Sequence, residues 1–313
     1  MNKIFRPLVM QEFAILIPFF LLLLFFYTRN EAMLNKITIF SILRTIAFPA
    51  LIAMGMVQLM IAGELDLSTG AVMSFSAVFT AKLIRDLEFA VAEAVLIALA
   101  VSIIFGLLNA FLTIKIGIFS VIATIGTGFM IRGGSYLFTN GLPIYPLPES
   151  FALLGSLRPL NLSFTFLLMI ALTIIVQILL RSSKWGTALY ATGSNLKAAK
   201  MSGINTTKVK TICFVTTSFL SATAGLLTMS QLPGTPGDPI IGLNLELDIL
   251  AGVIVGGVSL YGGRGSAIGT LIGVAFIQLV RSGLVIAHFN PYLQLPALGI
   301  LLMIAVAWDV IRH

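Results

Sequence analysis

The residues from Phe89 to Ile114, FAVAEAVLIALAVSIIFGLLNAFLTI, decide the fold class of this chain. Glu93 is the single charged residue in the run. A helix of about 20 apolar residues is long enough to cross the hydrocarbon core of a bilayer. Every backbone amide in hydrocarbon needs a partner within the protein, and a helix provides one. The run therefore predicts a membrane-spanning helix.

The rest of the chain has the same apolar character. Of its 313 residues, 58% are apolar and 10% are charged, whereas soluble domains average about 45–50% and about 25%. We therefore expect an all-α, polytopic integral membrane protein with about ten transmembrane helices. The predicted spans are Phe13–Tyr27, Ile37–Ala62, Gly70–Ile84, Phe89–Ile114, Phe119–Phe138, Leu160–Leu180, Thr211–Leu232, Leu245–Leu260, Ser266–Ile286 and Leu293–Val310.

Span length also limits the number of domains. Ten spans of ~20 residues leave about a hundred residues for tails and loops. That remainder is too small for an independent soluble domain. Residues 1–313 are therefore expected to form a single transmembrane domain, without a nucleotide-hydrolysing module of their own.

The basic residues predict the direction of the spans. With the N-terminus inside, eleven of the 19 Lys and Arg residues fall on the cytoplasmic side, beginning with Lys3 and Arg6, and five fall on the other side. Cytoplasmic loops of membrane proteins carry such an excess. Both termini are therefore expected in the cytoplasm. The same bias explains the net charge of +7 without a nucleic-acid partner.

The rare reactive residue types exclude several kinds of site. Cys213 is the single cysteine, so the chain has no intrachain disulfide. His288 and His313 are the two histidines, and they are too far apart in sequence for a paired-histidine zinc motif. We expect no metal site and no catalytic constellation in this chain.

The segment 181–210 stands apart because it has six basic residues and no acidic ones. Ser194 or Asn195 can cap a short helix that Gly203 would end in the left-handed conformation. Leu196, Ala199 and Gly203 share one face at helical spacing and could fit a groove on a partner. The alternative is a solvated loop that its lysines hold near anionic lipid. The candidate docking residues are Ser194, Asn195, Leu196, Lys197, Ala198, Ala199, Met201, Ser202, Gly203 and Ile204.

This short helix resembles a known signature. Lys197-Ala198-Ala199 followed by Gly203 is similar to the EAA-x-x-x-G motif of the permease subunits of ABC importers. In that superfamily the helix fits a cleft on the ATPase and links ATP hydrolysis to movement of the pore. Lys197 stands where the signature has Glu, so an ion pair made by that Glu does not carry over.

Three more segments resemble the ribose-type branch of the same superfamily. Residues 62–70 (AGELDLSTG) are similar to its GGIDLS-G segment. Residues 260–266 (LYGGRGS), with Gly269, are similar to its L-GGRGS-G segment, and Arg132-Gly133 fits the fifth span. Four motifs in the right order cover nearly the whole chain.

The resemblance implies a function without chemistry in this chain. It implies a permease subunit of an ATP-driven importer in the bacterial inner membrane, which translocates a monosaccharide or a related small polar solute. ATP and Mg would be bound by a partner ATPase. The other implied partners are a periplasmic substrate-binding protein and a second permease subunit, identical or closely related. Relatives that handle autoinducer-2, nucleosides or branched-chain amino acids leave the solute open.

A secondary transporter that works without an ATPase is the competing function. Such proteins keep ionisable residues or broken helices near mid-membrane for ion coupling. Here the acidic residues mostly fall at the ends of predicted spans, which disfavours proton coupling. An intramembrane enzyme would need paired His or carboxylate groups within the spans.

Five residues are candidates for the inner mouth or the translocation pathway: Glu64, Asp66, Ser68, Arg132 and Arg264. Charges at membrane depth are costly unless they face protein or water. The alternative for Asp66 and Ser68 is that one of them caps the third helix. The alternative for Arg264 is a place in a tight glycine turn.

Two further expectations concern helix packing. Arg44, Arg132 and Arg281 fall inside spans and need partners, for which Glu246 and Asp248 are available. Five glycines give small-xxx-small ridges whose expected role is close helix approach. They are Gly252, Gly256, Gly265, Gly269 and Gly273.

Overall fold

The computed structural model of the chain describes residues 15–159, 162–231 and 238–312. Lys3, Arg6 and Phe13, used above for orientation and for the first span, lie outside these residues. So do Leu160 and Leu232, which bound two other predicted spans.

The described residues form an all-α bundle. Three short helical pieces of other pitch join its helices: a 3₁₀ turn at Glu31–Leu34, a π turn at Phe111–Ile116 and a 3₁₀ turn at Pro291–Leu293. The α-helices are α1 Leu16–Arg29, α2 Lys36–Ile61, α3 Thr69–Asp86, α4 Val91–Ala110, α5 Ser120–Thr139, α6 Glu149–Ser156, α7 Phe164–Ser182, α8 Lys184–Ser194, α9 Leu196–Met201, α10 Thr206–Gln231, α11 Leu245–Val255, α12 Ala267–Ile286 and α13 Gln294–Arg312.

Ten of these helices correspond in order to the ten predicted spans. Six helical stretches of the described chain are long and apolar enough to cross a membrane. They are Lys36–Ile61, Val91–Ile116, Phe164–Ser182, Thr206–Gln231, Ala267–Ile286 and Pro291–Ile311. The fold is therefore that of a polytopic membrane protein. The count of ten crossings and the side of each terminus stay predictions.

The predicted eighth span, Leu245–Leu260, is wrong in its length. Helix α11 ends at Val255, and residues 256–266 form turns and loop instead. Eleven residues at 1.5 Å each give about 16 Å of helix, about half of the ~30 Å hydrocarbon core. Gly256 and Gly257 end the helix, and Gly257 has φ +89°.

Helix α10 lies at the centre of the bundle and contacts α2, α3 and α4. Glycines bring these backbones close together. A Cβ on Gly55 would lie 2.7 Å from Cα of Thr217, and one on Gly106 would lie 2.7 Å from Cα of Val215. Apolar area alone gives little drive for association in lipid, so such close contacts carry much of the packing.

Helices α11 and α12 cross through the predicted glycine ridge. A Cβ on Gly252 would lie 2.9 Å from Cα of Val274, and one on Gly256 would lie 2.8 Å from Cα of Thr270. Gly269 and Gly273 face the backbone of α11 in the same way. The packing role is confirmed for these four glycines. Gly265 does not belong to the ridge, because it lies in the loop before α12 with φ +149°.

Candidate functional site

The chain between α2 and α3 is non-helical and lies against α5; we call residues 63–68 the inner segment. The amide of Leu65 donates to Oγ of Ser120 at 3.2 Å, and the amide of Leu67 donates to Oγ1 of Thr124 at 3.0 Å. Ser120 and Thr124 are one helical turn apart. The inner segment therefore rises along α5 while hydroxyl groups satisfy its backbone amides, as non-helical backbone inside a membrane protein requires.

Asp66 is the centre of a buried polar cluster in this segment. Asp66 and Ser68 are both 0% exposed. One carboxylate oxygen of Asp66 accepts from the amide of Ser68 at 2.8 Å and from its hydroxyl at 2.6 Å. Asn109 of α4 donates to Oγ of Ser68 at 2.9 Å and accepts from the hydroxyl of Thr127 at 2.6 Å. The cluster therefore ties the inner segment to both α4 and α5.

These contacts bear on two expectations. Ser68 does not cap α3, because it precedes the helix without a side-chain capping bond, whereas Oδ1 of Asp66 accepts from the amide of Ser68 at the entrance to the helix. Asp66 and Asp248 lie at span ends, as expected of the acidic residues, and both are buried. Neither apolar periodicity nor span length reveals that a loop folds back into the bundle.

Glu64 begins the inner segment and is held from another direction. Its Oε1 lies 2.6 Å from Nζ of Lys210 on α10, and both side chains are about one-seventh exposed (13% and 14%). Pairing with the lysine compensates part of the cost of removing the carboxylate from water. The ion pair attaches the start of the inner segment to the first turns of α10.

Arg132 lies where two helices begin inside the bundle. Its Nη2 is 3.3 Å from the carbonyl of Gly242 and 3.9 Å from Oε2 of Glu246 on α11. Gly70 in the first turn of α3 packs against the same groups, with no room for a side chain. Nη1 of Arg132 is buried without a hydrogen-bond partner among the described residues. Helices that begin inside a bundle beside charged groups are typical of transport proteins.

The expected pairing of intramembrane arginines is confirmed for two of them. Glu246 forms an ion pair with Arg132, and Asp248 accepts from Nη2 of Arg281 at 2.8 Å. Arg44 lines a cavity of about 920 Å³ together with Arg281 and Asp248. The cavity lies beside the first half of α2 and the second half of α12, and none of its lining residues belongs to the inner segment.

The predicted docking helix forms as α9. Oδ1 of Asn195 accepts from the amide of Ala198 at 3.0 Å, so Asn195, and not Ser194, is the cap. Gly203 ends the helix with φ +80°, and the amide of Ile204 bonds the carbonyl of Ala199 at 3.1 Å. Both terminal signals read from the sequence are confirmed.

The face that α9 exposes differs from the expected one. Ala199 is 3% exposed and packs into the chain, so it cannot join Leu196 and Gly203 in an outward ridge. Met201, in contrast, is 89% exposed, and Lys197 and Lys200 are exposed beside it. The free face therefore has the apolar side chains of Met201 and, less exposed (38%), Leu196 among cations.

Arg264 lies in a tight glycine turn, which was the alternative to a place in the translocation pathway. Gly262 and Gly263 have φ +83° and +73°, values that L side chains rarely adopt. The Arg264 side chain is exposed, while its carbonyl accepts from the amide of Ser259 at 3.2 Å. Arg264 thus lies at the surface near the end of α8, apart from the buried cluster around Asp66.

A sequence model of the family described as branched-chain amino acid transport system / permease component matches residues 38–306. The chain belongs to this permease family. The ribose import permease protein of Bacillus subtilis is 34% identical to this chain over 303 residues, which cover 96% of the chain and 93% of that protein. The ribose import permease protein of Haemophilus influenzae is 31% identical over 275 residues (87% and 84%).

A galactose/methyl galactoside import permease protein of Haemophilus influenzae is 26% identical over 330 residues, which cover 100% of this chain and 97% of that protein. No solved structure gives a significant match. These similarities confirm the resemblance read from the four motifs: the chain is an ABC importer permease of the ribose-type branch.

Reasoning from the sequence did not single out several residues that organise this permease. Asn109 carried a signal, because an amide within an apolar span needs a buried partner. Gln177 and Asp309 carried weaker sequence signals of the same kind. Gln177 accepts from the amides of Ala267 and Ile268 at the start of α12, and Asp309 accepts from the amide of Leu260 at 2.9 Å. Such contacts depend on which helices are neighbours, and a single sequence does not specify that.

Proposed function

We propose that this permease is the membrane-spanning subunit of an ATP-driven importer in the bacterial inner membrane. Residues 1–313 form its single transmembrane domain, and it moves a monosaccharide delivered by a periplasmic binding protein. A second permease subunit, identical or closely related, completes the pore. The ATPase is a separate chain, which binds ATP and Mg. The import of ribose and galactose by named relatives supports a monosaccharide as the solute.

The observation that carries the ATPase partner is the exposed helix α9. It is capped at both ends, so it holds its shape without a partner. Its Met201 is 89% exposed although it is apolar, and segment 181–210 offers cations and no acidic group. A helix with exposed apolar side chains among cations fits a groove that has an apolar pocket and an acidic rim. We assign that groove to the ATPase.

The first experiment is affinity purification of the chain from native membranes in mild detergent, followed by mass spectrometry. We expect a P-loop ATPase in stoichiometric amount, together with a second permease chain. A chain that is recovered alone, and that still transports solute after reconstitution without ATP, would establish the secondary transporter instead.

The second experiment changes the docking face. Met201→Glu places an acid where the side chain touches little of its own chain, so the fold should survive while the ATPase is lost from the purified complex. Ile116→Glu is the matched control, because Ile116 is also an exposed apolar residue (56%), at the predicted cytoplasmic end of the helical stretch Val91–Ile116. Equal ATPase recovery with both variants would exclude α9 as the docking helix.

The solute is tested by uptake of radiolabelled ribose and galactose into cells that express the complete transporter. ATP-dependent uptake of one of these sugars, competed by the unlabelled sugar, is expected. If neither sugar is taken up, the monosaccharide assignment is wrong. The ATPase partner is tested separately by the affinity purification.

A further inference from the structure

Three separate backbones meet beside the docking helix with no side chain between them. They belong to the end of α2, the end of α8 and the loop after α11. The amide of Gly263 donates to the carbonyl of Ile61 at 2.8 Å. A Cβ on Gly193 would lie 2.6 Å from the nitrogen of Gly263, and one on Gly262 would lie 3.0 Å from Cα of Gly63. We call Gly63, Gly193, Gly262 and Gly263 the glycine junction.

Two side chains of α8 hold the helix to the same neighbours. Nε1 of Trp185 donates to Oε1 of Gln58 on α2 at 3.1 Å. The hydroxyl of Tyr190 donates to the carbonyl of Gly265 at 2.7 Å. Helix α8 is therefore fixed to α2 near its start and to the loop after α11 near its end.

Direct backbone contact transmits displacement in a way that side-chain contact does not. A side chain can rotate to another staggered position and absorb a small shift. Packed backbone atoms cannot do this without losing hydrogen bonds or leaving their φ/ψ region. Since Asn195 alone separates α8 from α9, a shift of the docking helix reaches Gly193 at once.

The junction leads directly to the inner segment. Gly63 is the first residue of that segment, and the amides of Leu65 and Leu67 then follow α5. A Cβ on Gly128, one turn beyond Thr124, would lie 3.4 Å from Cα of Ser68. The segment ends beside Arg132 at the start of α3.

We propose that Gly193, Gly262 and Gly263 are the positioning residues through which movement of α9 reaches the inner segment of the permease. This inference rests on the proposed function, because it takes α9 as the helix that the ATPase moves. The junction is needed for transmission and not for docking. A substitution in the junction should therefore impair transmission while docking of the ATPase persists.

The test is amide hydrogen exchange of the complete transporter complex, with and without ATP plus vanadate to trap the ATPase. In the unmodified complex we expect trapping to change exchange both at residues 195–203 and at residues 63–70. In Gly193→Ala the change at 195–203 should persist and the change at 63–70 should disappear. Gly299→Ala is the control, since a Cβ on this α13 glycine would meet nothing within 4 Å.

A second variant adds no volume and so avoids a folding defect. Tyr190→Phe removes the bond to Gly265 and should reduce the trapping-dependent change at 63–70, whereas Tyr292→Phe, at a residue that is 84% exposed, should not. The number of ATP molecules hydrolysed per solute imported should rise in Gly193→Ala and in Tyr190→Phe, and it should stay unchanged in the two control variants.

The outcomes separate the two proposals. No change at 195–203 in the unmodified complex would overturn docking and thus the proposed function. A change at 195–203 without one at 63–70 in that complex would overturn transmission through the junction. So would a change at 63–70 that persists in both Gly193→Ala and Tyr190→Phe.

Discussion

Ser68→Ala is the sharpest single test of the buried cluster around Asp66. The Ser68 hydroxyl donates to Asp66 at 2.6 Å and accepts from Asn109 at 2.9 Å, so it joins the inner segment to α4. Ser76 provides a matched control. It is also buried (1% exposed), but its hydroxyl bonds the carbonyl of Val72 in its own helix at 2.8 Å. The two substitutions remove the same atom.

The expected costs depend on the groups that each hydroxyl leaves behind. A hydrogen bond to a carboxylate contributes ~1.5–3 kcal/mol and one between neutral groups about 1 kcal/mol. Ser68→Ala removes one of each and leaves two buried partners less satisfied, so it should destabilise the protein by roughly 2–4 kcal/mol. Ser76→Ala leaves the carbonyl of Val72 with its helical bond and should cost under ~1 kcal/mol.

Thermal unfolding in detergent at one fixed scan rate measures the difference. Unfolding entropy of about 2.1 cal/mol/K per residue gives roughly 1.5 °C per kcal/mol for 313 residues. Ser68→Ala should therefore lower the apparent Tm by roughly 3–6 °C and Ser76→Ala by less than roughly 2 °C. Equal shifts would refute the reasoning, because the two hydroxyls would then contribute alike.

Two further predictions concern packing and charge. Gly273→Ala should lower the apparent Tm by several degrees, since its Cβ would overlap the carbonyl of Gly252, whereas Gly299→Ala should not; equal Tm values would contradict the close crossing of α11 and α12. Asp248→Ala leaves the guanidinium of Arg281, 29% exposed, without its carboxylate, at a cost of about 1–3 kcal/mol for the unsatisfied donor. The double variant lacking both charges should regain part of that loss; a loss equal to the sum of the single variants would contradict the pairing.

Features that depend on local rules were predicted well from the sequence. Apolar runs located ten helices because membrane depth fixes their length. Asn195 and Gly203 marked the ends of the docking helix because capping and left-handed termination are properties of single residues. The four glycines of the α11–α12 crossing were recognisable from their spacing alone.

Features that depend on neighbouring helices were predicted poorly. Glu64, Asp66 and Ser68 were correctly singled out, but the return of their segment into the bundle was not predicted. That return depends on hydroxyls of α5, which lie more than fifty residues away in sequence. The outward face of α9 was wrong for the same reason, since the burial of Ala199 is decided by α8 and α10. Lys210 also became recognisable as a partner of Glu64 only in the folded chain.

Two routes connect the glycine junction to Arg132, and different contacts hold each of them in place. Helix α11 runs for about 16 Å from Glu246, the partner of Arg132, toward the loop that carries Gly262. The inner segment runs from Gly63 to Ser68, just before Gly70 beside the same arginine, and hydroxyl groups on α5 accept from its Leu65 and Leu67 amides. The glycine crossing with α12 makes α11 a rigid connection. The two routes are therefore held in different ways: α11 by backbone packing against α12, and the inner segment by side-chain bonds to α4 and α5.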